Sequence, residues 1–481
     1  MALFRTGINL MTILEVAAKR YGKQIAIVDD ESTITYKGLY LKSKIFASYF
    51  YHTLQLQNGK KVAILCRNHI PLIQSIFAVS RVGADMYLLN TDMRVDQLNN
   101  LVKYGNYDAI LYDDEFNSLV HTLDYSGIKV LIDHNVIRHT STIIPRFSSG
   151  KIILQTGGTT GKPKEARHIP SLFNYLSPYI ALIEKLKITD YQTGFIGTPI
   201  FHGYGIAVLL VFIPLGKKLV ITSRFEARKA CKLIEKYQVE FITVVPLMLD
   251  RMLKSNPSNL KSLRCIASGG AKLNSRLVED IYDNLGRVLF NLYGTSEAGL
   301  NIIATPEDLQ YSPNTLGKKI SGVKLKIVDS NGKRVKQGVV GEFVVKNMRS
   351  MKNRHDTWLK TGDIGFIDGK GYLFLRGRTD EMIISGGENV YPLDVEQVLF
   401  EHPEVEDVMV IGMEDKEYGE RLKAFVKTKG LTKQDIRIWL KSKLARYQMP
   451  KEIVIVNEIP YTPLGKPDKK RLIEEHLYRS L

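Results

Sequence analysis

The sequence predicts an α/β protein, and three changes of texture along the chain predict it. Between residues 60 and 295 short β-branched runs alternate with helical patterns; after Thr315 strands follow one another without helices; from about residue 380 a smaller unit mixes both. Alternation of the first kind builds mostly parallel sheets covered by helices, whose ligands bind at loops beyond the strands' carboxyl ends. In order, those strands are Val62–Cys66, Asp108–Tyr112, Lys129–Ile132, Lys151–Gln155, Lys218–Thr222, Glu240–Val245, Leu263–Ala267 and Val288–Leu292, with amphipathic helices over Ala227–Tyr237 and Ser275–Leu285. The later strands, Lys324–Val328, Gly341–Lys346 and Tyr372–Leu375 with a Ser330-Asn331-Gly332 turn, read as an antiparallel sheet or small barrel. The last unit has a helix near Leu393–Phe400 and strands at Val408–Ile411, Ala424–Thr428 and Glu452–Val456. Thr432 with Asp435 makes a capping-box-like helix start, and Ile436, Trp439, Leu440 and Leu444 form one face. A domain boundary is expected at Arg378–Asp380, giving domains 1–378 and 379–481.

A chain of 481 residues should hold more than one core, since domains run to roughly 100–200 residues. Its 24% charged and 9% aromatic residues exclude wholesale disorder and fibrous architectures. The net charge of +17 invites a nucleic-acid reading, but the charge is not where such a reading needs it. Residues 379–481 carry 16 basic and 19 acidic residues, so the remaining 378 carry 51 basic against 31 acidic. The excess is spread over a large body and forms no tail, and no nucleic-acid partner is expected. Loose peripheral attraction to an anionic membrane surface is the expectation for the part that small ligands do not explain. Cys66, Cys231 and Cys265 are too scattered for a zinc motif or a disulfide framework and read as buried reduced thiols. No apolar run reaches the roughly 18 residues of a membrane span; the longest, Gly205 to Gly216, contains Pro214. Asn9, Thr12 and Glu15 interrupt the N-terminal apolar stretch, which reads as an amphipathic helix and not a signal peptide, so the cytoplasm is the expected compartment. Oligomeric state is open, a homodimer included.

Five motifs carry chemistry. Thr156-Gly157-Gly158-Thr159-Thr160-Gly161-Lys162-Pro163-Lys164 follows a strand; its glycines let backbone amides approach a ligand, and its hydroxyls and lysines suit a polyphosphate. It is not a Walker A loop, because Thr156 stands where that motif has its first Gly and Pro163 where Ser or Thr would hold magnesium. Tyr293-Gly294-Thr295-Ser296-Glu297 offers a ring to stack on a base, hydroxyls for phosphate and a carboxylate for Mg²⁺. Asp363, after Thr361-Gly362, could accept from two ribose hydroxyls. Gly377-Arg378-Thr379-Asp380 and Ser385-Gly386-Gly387 combine a cation, a polar hinge candidate and a flexible pair. Thr462-Pro463-Leu464-Gly465-Lys466 ends in a lysine near the C-terminus. Taken singly, each also fits a bland reading as a surface turn or a solvated side chain.

In this order, the five resemble the adenylate-forming (AMP-binding) superfamily of acyl- and aryl-CoA synthetases, amino-acid adenylation domains and luciferase, over about residues 10 to 475. The resemblance implies a large N-terminal domain of two mostly parallel βαβ subdomains plus a small antiparallel β-barrel, followed by a small mobile α+β C-terminal domain. It implies that a carboxylic acid and ATP give an acyl-adenylate and pyrophosphate, and that a thiol, coenzyme A, then displaces AMP. By position, Thr156, Gly158, Thr159, Thr160, Gly161 and Lys164 would hold the phosphates, Tyr293 and Gly294 the adenine, and Ser296 the α-phosphate. Glu297 would hold Mg²⁺, Asp363 and Arg378 the ribose, and Lys466 the carboxylate and α-phosphate oxygens. Asp380 would be the hinge, and Gly386 and Gly387 would line the thiol tunnel.

Within the family, Pro199-Ile200-Phe201-His202-Gly203 resembles the acyl-CoA synthetase segment; His202 stands where amino-acid activators place an Asp for the substrate ammonium. With Val245 and Gly270 as further walls, the expected acid is hydrophobic and fatty, with an aryl acid or a carrier-protein thiol as the alternative. Gly157 in place of the family's usual Ser, and Glu165 in place of Gly, open a third reading, a non-catalytic nucleotide- or acyl-binding protein.

Overall fold

A computed structural model describes residues 6–133, 143–156, 164–168, 180–295, 298–347, 358–462 and 465–477. These fall into two compact units, one drawn from Met1–Val244 and Arg251–Ala267, the other from Val245–Asp250, Ser268–Met348 and Asp356–Leu481.

The first unit holds two sheets. One runs Ile128–Leu131, Ala109–Tyr112, Lys61–Leu65, Asp85–Leu88, Ile152–Thr156 and Lys164–His168, parallel throughout except for the last strand, which folds back antiparallel. Val62, Ala63, Ile64 and Leu65 are all buried, as a strand covered on both faces requires. The other runs Thr33–Thr35, Ile25–Val28, Lys218–Ile221, Thr193–Ile196 and Phe241–Val244, parallel except at its first pair. The helix Leu10–Tyr21 is the amphipathic one expected: Asn9 caps it by accepting the Thr12 N–H, and Leu10, Met11, Leu14 and Ala17 are buried. All three cysteines are free and buried. Among the described residues, no helix is long and apolar enough to cross a membrane.

Some strands were invisible in the sequence for a physical reason. Asp85–Leu88 follows the wholly buried helix Ile70–Val82 after only Gly83 and Ala84, so one apolar run conceals both. The break is made by Gly83 in the left-handed region, φ 79°.

In the second unit an antiparallel path runs Val323–Val328, Gly341–Asn347, Leu359–Ile367, Leu373–Arg378, Thr315–Lys319, Gly299–Ala304 and Leu289–Thr295. Ile302, Leu316, Ile327, Phe343 and Leu373 form its core. A second sheet pairs Gly419–Thr428 with Val405–Asp415, Ile383–Ser385 and Glu452–Ile455. The helices Pro392–Phe400 and Lys433–Lys441 cover it through Val395, Leu399, Ile436 and Leu440. Thr432 and Asp435 exchange the two capping hydrogen bonds expected of them. The long hairpin Val405–Asp415/Gly419–Thr428 extends past the apolar core the sequence marked, because the ladder continues through Glu414, Asp415 and Glu420, which carry no apolar signal.

Candidate active site

Three strands of the antiparallel path in the second unit bring together residues from three separate motifs. Tyr293 lies near the end of the strand Leu289–Thr295, in a hairpin whose register pairs Gly294 with Leu300 and Thr295 with Gly299. A Cβ on Gly294 would stand 2.4 Å from the Gly299 carbonyl oxygen, so only glycine permits this crossing. The Thr295 hydroxyl accepts the Ala298 N–H at 3.1 Å and ties the tip, between which Ser296 and Glu297 lie outside the described residues. Asp363 and Arg378 are direct register partners on adjacent strands.

Side chains then close the cluster. The Tyr293 hydroxyl donates to Asp363 Oδ2, Arg378 Nη1 donates to Asp363 Oδ1 at 3.3 Å, and Arg378 Nε donates to Asp380 Oδ1 at 2.9 Å. The Asp363 N–H donates to Thr361 Oγ1 at 3.1 Å. Gly362 has φ +76°, a backbone conformation that favours glycine, and a Cβ there would stand 3.3 Å from Arg378 Nη2. Burial pushes the Asp363 carboxyl up, while the Tyr293 hydrogen bond and the Arg378 charge pull it back. Burial and the adjacent carboxylate push the Tyr293 phenol up, so it stays a neutral donor.

Lys466 stands in a tightly bonded loop of the same unit. The Thr462 N–H donates to the Lys466 carbonyl, the Gly465 N–H to the Thr462 carbonyl (both 2.8 Å), and the Lys466 N–H to Thr462 Oγ1 at 3.2 Å. At the loop's base, the Tyr461 hydroxyl lies 2.9 and 3.0 Å from the two Asp407 oxygens. Burial pushes the Asp407 carboxyl up to about 6, against the Tyr461 and Val408 hydrogen bonds. Gly465 adopts φ +71°, and a Cβ there would come within 2.5 Å of Val245 Cγ2. The loop thus sits directly on Val245, with Lys466 exposed beside it. Gly270, φ +82°, turns the chain just after the strand Cys265–Gly269.

The remaining candidates divide. In the first unit His202 precedes the helix Gly203–Phe212 and stacks on Tyr204 with ring centroids 6.1 Å apart. Asn68, which sequence reasoning missed, clamps that segment: its Nδ2 donates to the Thr198 carbonyl at 3.2 Å and its Oδ1 accepts the Ile200 N–H at 2.8 Å. A Cβ on Gly203 would lie 3.8 Å from Leu154 Cδ1, on the strand that leads into the Gly/Thr-rich loop. That loop joins two antiparallel strands, with Thr156 opposite Lys164 and Gln155 opposite Glu165. A Walker A loop instead leads into a helix, so the backbone agrees with the sequence in setting that motif aside. Gly158, Thr159, Thr160 and Gly161 lie outside the described residues. Gly386 and Gly387, φ 59° and 86°, form a two-residue hairpin turn between Ser385 and Glu388, which requires positive φ at both and accounts for both glycines without a ligand.

One further cluster, Cys66, His69 and Asp113, has metal-ligand spacing. His69 Nδ1 accepts the Leu72 N–H, which leaves the ring proton on Nε2, 3.4 Å from Asp113 Oδ2. A nitrogen that carries a proton has no lone pair for a metal, so this is a histidine–carboxylate contact.

Comparison with known proteins agrees with the motifs. Residues 14–353 match the AMP-binding enzyme family and residues 394–466 the AMP-binding enzyme C-terminal domain. The 2-succinylbenzoate–CoA ligase of Oceanobacillus iheyensis is 30% identical over 458 residues, 91% of this chain and 93% of that protein. That of Bacillus subtilis is 28% identical over 462 residues, 92% of this chain and 93% of that protein. The structure of o-succinylbenzoate CoA synthetase from Bacillus subtilis with its acyl-adenylate intermediate superposes with a TM-score of 0.84 at 26% identity, covering 96% of this chain and 97% of that one. The same enzyme has been solved with ATP and magnesium ion. These relatives are CoA ligases, as the motifs lead one to expect, but the acid in their names is aromatic and not fatty. From its N-terminal AMP-binding region to its C-terminal domain, the chain belongs to the AMP-binding enzyme family.

Proposed function

We propose that the protein is an AMP-forming acid–thiol ligase that joins an aromatic carboxylic acid of the 2-succinylbenzoate class to coenzyme A at the expense of ATP. The observation that carries this reading is the side-chain-linked set Tyr293, Asp363, Arg378 and Asp380, in one unit with the Lys466 loop seated on Val245. In this reading 1–378 is the adenylation domain and 379–481 the C-terminal domain.

Each residue then has a task its chemistry suits. The Tyr293 ring stacks on adenine while its hydroxyl holds Asp363, whose free lone pairs accept from the ribose hydroxyls. Arg378 fixes the other Asp363 oxygen. Amides and hydroxyls of Thr156, Gly158, Thr159, Thr160 and Gly161, with Lys164, take the β- and γ-phosphates. Glu297, a hard oxygen donor, would hold Mg²⁺, which would supply charge that neutralises the phosphates. A carboxylate oxygen of the acid attacks the α-phosphorus, the bond to the β-phosphate oxygen breaks, and pyrophosphate leaves. Lys466 stabilises the negative charge that builds on the acid and α-phosphate oxygens. The coenzyme A sulfur, its proton lost to solvent, then attacks the acyl carbon, and the carbon–oxygen bond to AMP breaks.

For the acid itself, His202 beside Tyr204 supplies an aromatic lining at a helix N-terminus, which suits an anionic aromatic acid better than an ammonium. The names of the relatives add weight to an aromatic acid over a fatty one.

The test is pyrophosphate and AMP release from ATP with 2-succinylbenzoate, benzoate or hexadecanoate, each with and without coenzyme A. The aryl reading expects AMP release to need coenzyme A and to be fastest with an aromatic acid. Preference for hexadecanoate would return the acid to the fatty class; pyrophosphate release indifferent to coenzyme A would favour a carrier-protein thiol. No release with any acid would leave a nucleotide- or acyl-binding protein.

A further inference from the structure

Lys272 is a buried cation that the reaction above does not use. It follows the turn at Gly270, its ammonium nitrogen is buried, and it has no hydrogen-bond partner among the described residues. Lys272 lines one cleft with Gln397 and Phe400 of the helix Pro392–Phe400, and the carboxylates that act on its charge, Glu396 and Asp394, belong to that helix. Both are already engaged, Glu396 accepting the Val410 N–H at 3.0 Å and Asp394 accepting from Arg376 Nη1 at 2.8 Å. Lys469 and Glu381, themselves paired at 2.7 Å, also act on the Glu396 charge, and Glu401 borders the cleft beside Lys272. A second cation strengthens the junction: Arg276 Nη1 donates to the carbonyls of Pro403 and Val405, at 2.9 and 3.2 Å.

From this junction a continuous packed path leads to Lys466. Val395 and Leu399 of the helix pack with Val408, Val410 and Ala424 of the long hairpin. On that hairpin's other face, Met409 and Phe425 pack with Ile459 and Tyr461, and Tyr461 opens the Lys466 loop through its bond to Asp407. We propose that Lys272 is a positioning residue: by its charge acting on Glu396 and Asp394 from the Gly270 turn, it holds the C-terminal segment so that the Lys466 loop stays seated on Val245. Removing it takes from the buried Glu396 the cationic charge that favours its ionised form.

The assignment of Lys466 to adenylation rests on the function proposed above, so the test includes a readout independent of activity. Lys272→Met keeps the volume and removes the charge; Glu396→Gln removes the other partner; Lys272→Arg keeps a cation. Both charge-removing variants should lower acid-dependent ATP–pyrophosphate exchange about tenfold in kcat with KM for ATP within twofold, and leave thioester formation from added acyl-adenylate within twofold. Burial lowers the Lys272 ammonium to about 8, so exchange in the wild type should decline through that pH. Lys272→Met should lack that limb, and Lys272→Arg should retain exchange at pH 9. By hydrogen exchange, Lys272→Met should deprotect the Gly465 and Lys466 amides at least tenfold while the Val408–Val410 amides stay protected. Unchanged exchange kinetics together with unchanged protection would overturn the proposal, as would equal loss in both half-reactions. If the wild type shows no acid-dependent pyrophosphate exchange, the proposed function fails, and loop protection alone decides whether Lys272 holds the loop.

Discussion

The Tyr293 hydroxyl and the Asp363 carboxylate are 70 positions apart in sequence, and no local pattern connects them. Each motif alone fitted a turn as well as a site; the bond between them makes the two one device. It follows that Tyr293→Phe, which keeps the ring and loses only the hydroxyl, should raise the KM for ATP about five- to tenfold, the effect of one lost hydrogen bond of about 1–1.5 kcal/mol, with kcat within twofold. Steady-state pyrophosphate exchange at varied ATP checks this; an unchanged KM would mean that Asp363 does not depend on the phenol. Residue types and order disclosed which residues mattered. They could not disclose Asn68 or Lys272, because a clamp and a buried cation are defined by what they face, and single asparagines and lysines carry no signal.

At the scale of elements, legibility followed apolar content. Strands that stand out as short apolar runs, such as Lys61–Leu65 and Phe241–Val244, were found within a residue or two; Asp85–Leu88 and the charged end of Val405–Asp415 were not. The same hairpin holds an ionisable group that can be tested. Asp407 is pushed up to about 6 from 3.8, so the folded protein binds its proton more tightly than the unfolded chain does. Between about pH 4 and 6 this group therefore removes stability as pH rises, and above that range the loss is complete. Asp407→Asn can still accept from Tyr461 and from the Val408 N–H. It should raise stability at pH 7.5 by about 1–3 kcal/mol and by almost nothing at pH 4, read from urea unfolding at both. A destabilised variant at pH 7.5 would show that the ionised carboxylate is worth more to Tyr461 than its burial costs.

Across the whole molecule, the net charge of +17 first suggested nucleic acid, and the motifs redirect it to a nucleotide. The parallel sheets, the antiparallel block and the C-terminal α+β unit were all readable, because each has its own periodicity. The seating of the Lys466 loop on Val245 was not readable, since it depends on a left-handed Gly465 meeting a residue more than two hundred positions earlier. If that seating serves the first half-reaction, Lys466→Ala should abolish ATP–pyrophosphate exchange, at least a hundredfold, while thioester formation from added acyl-adenylate falls no more than a few-fold. Equal losses in both would remove the role assigned to it.

The most direct measurement is a single-turnover experiment with labelled ATP and 2-succinylbenzoate, first without coenzyme A and then with it. The proposed function predicts pyrophosphate and an enzyme-bound acyl-adenylate in the first stage, followed by AMP and the CoA thioester in the second. Release of ADP and phosphate, or no acid-dependent turnover of ATP at either stage, would contradict it.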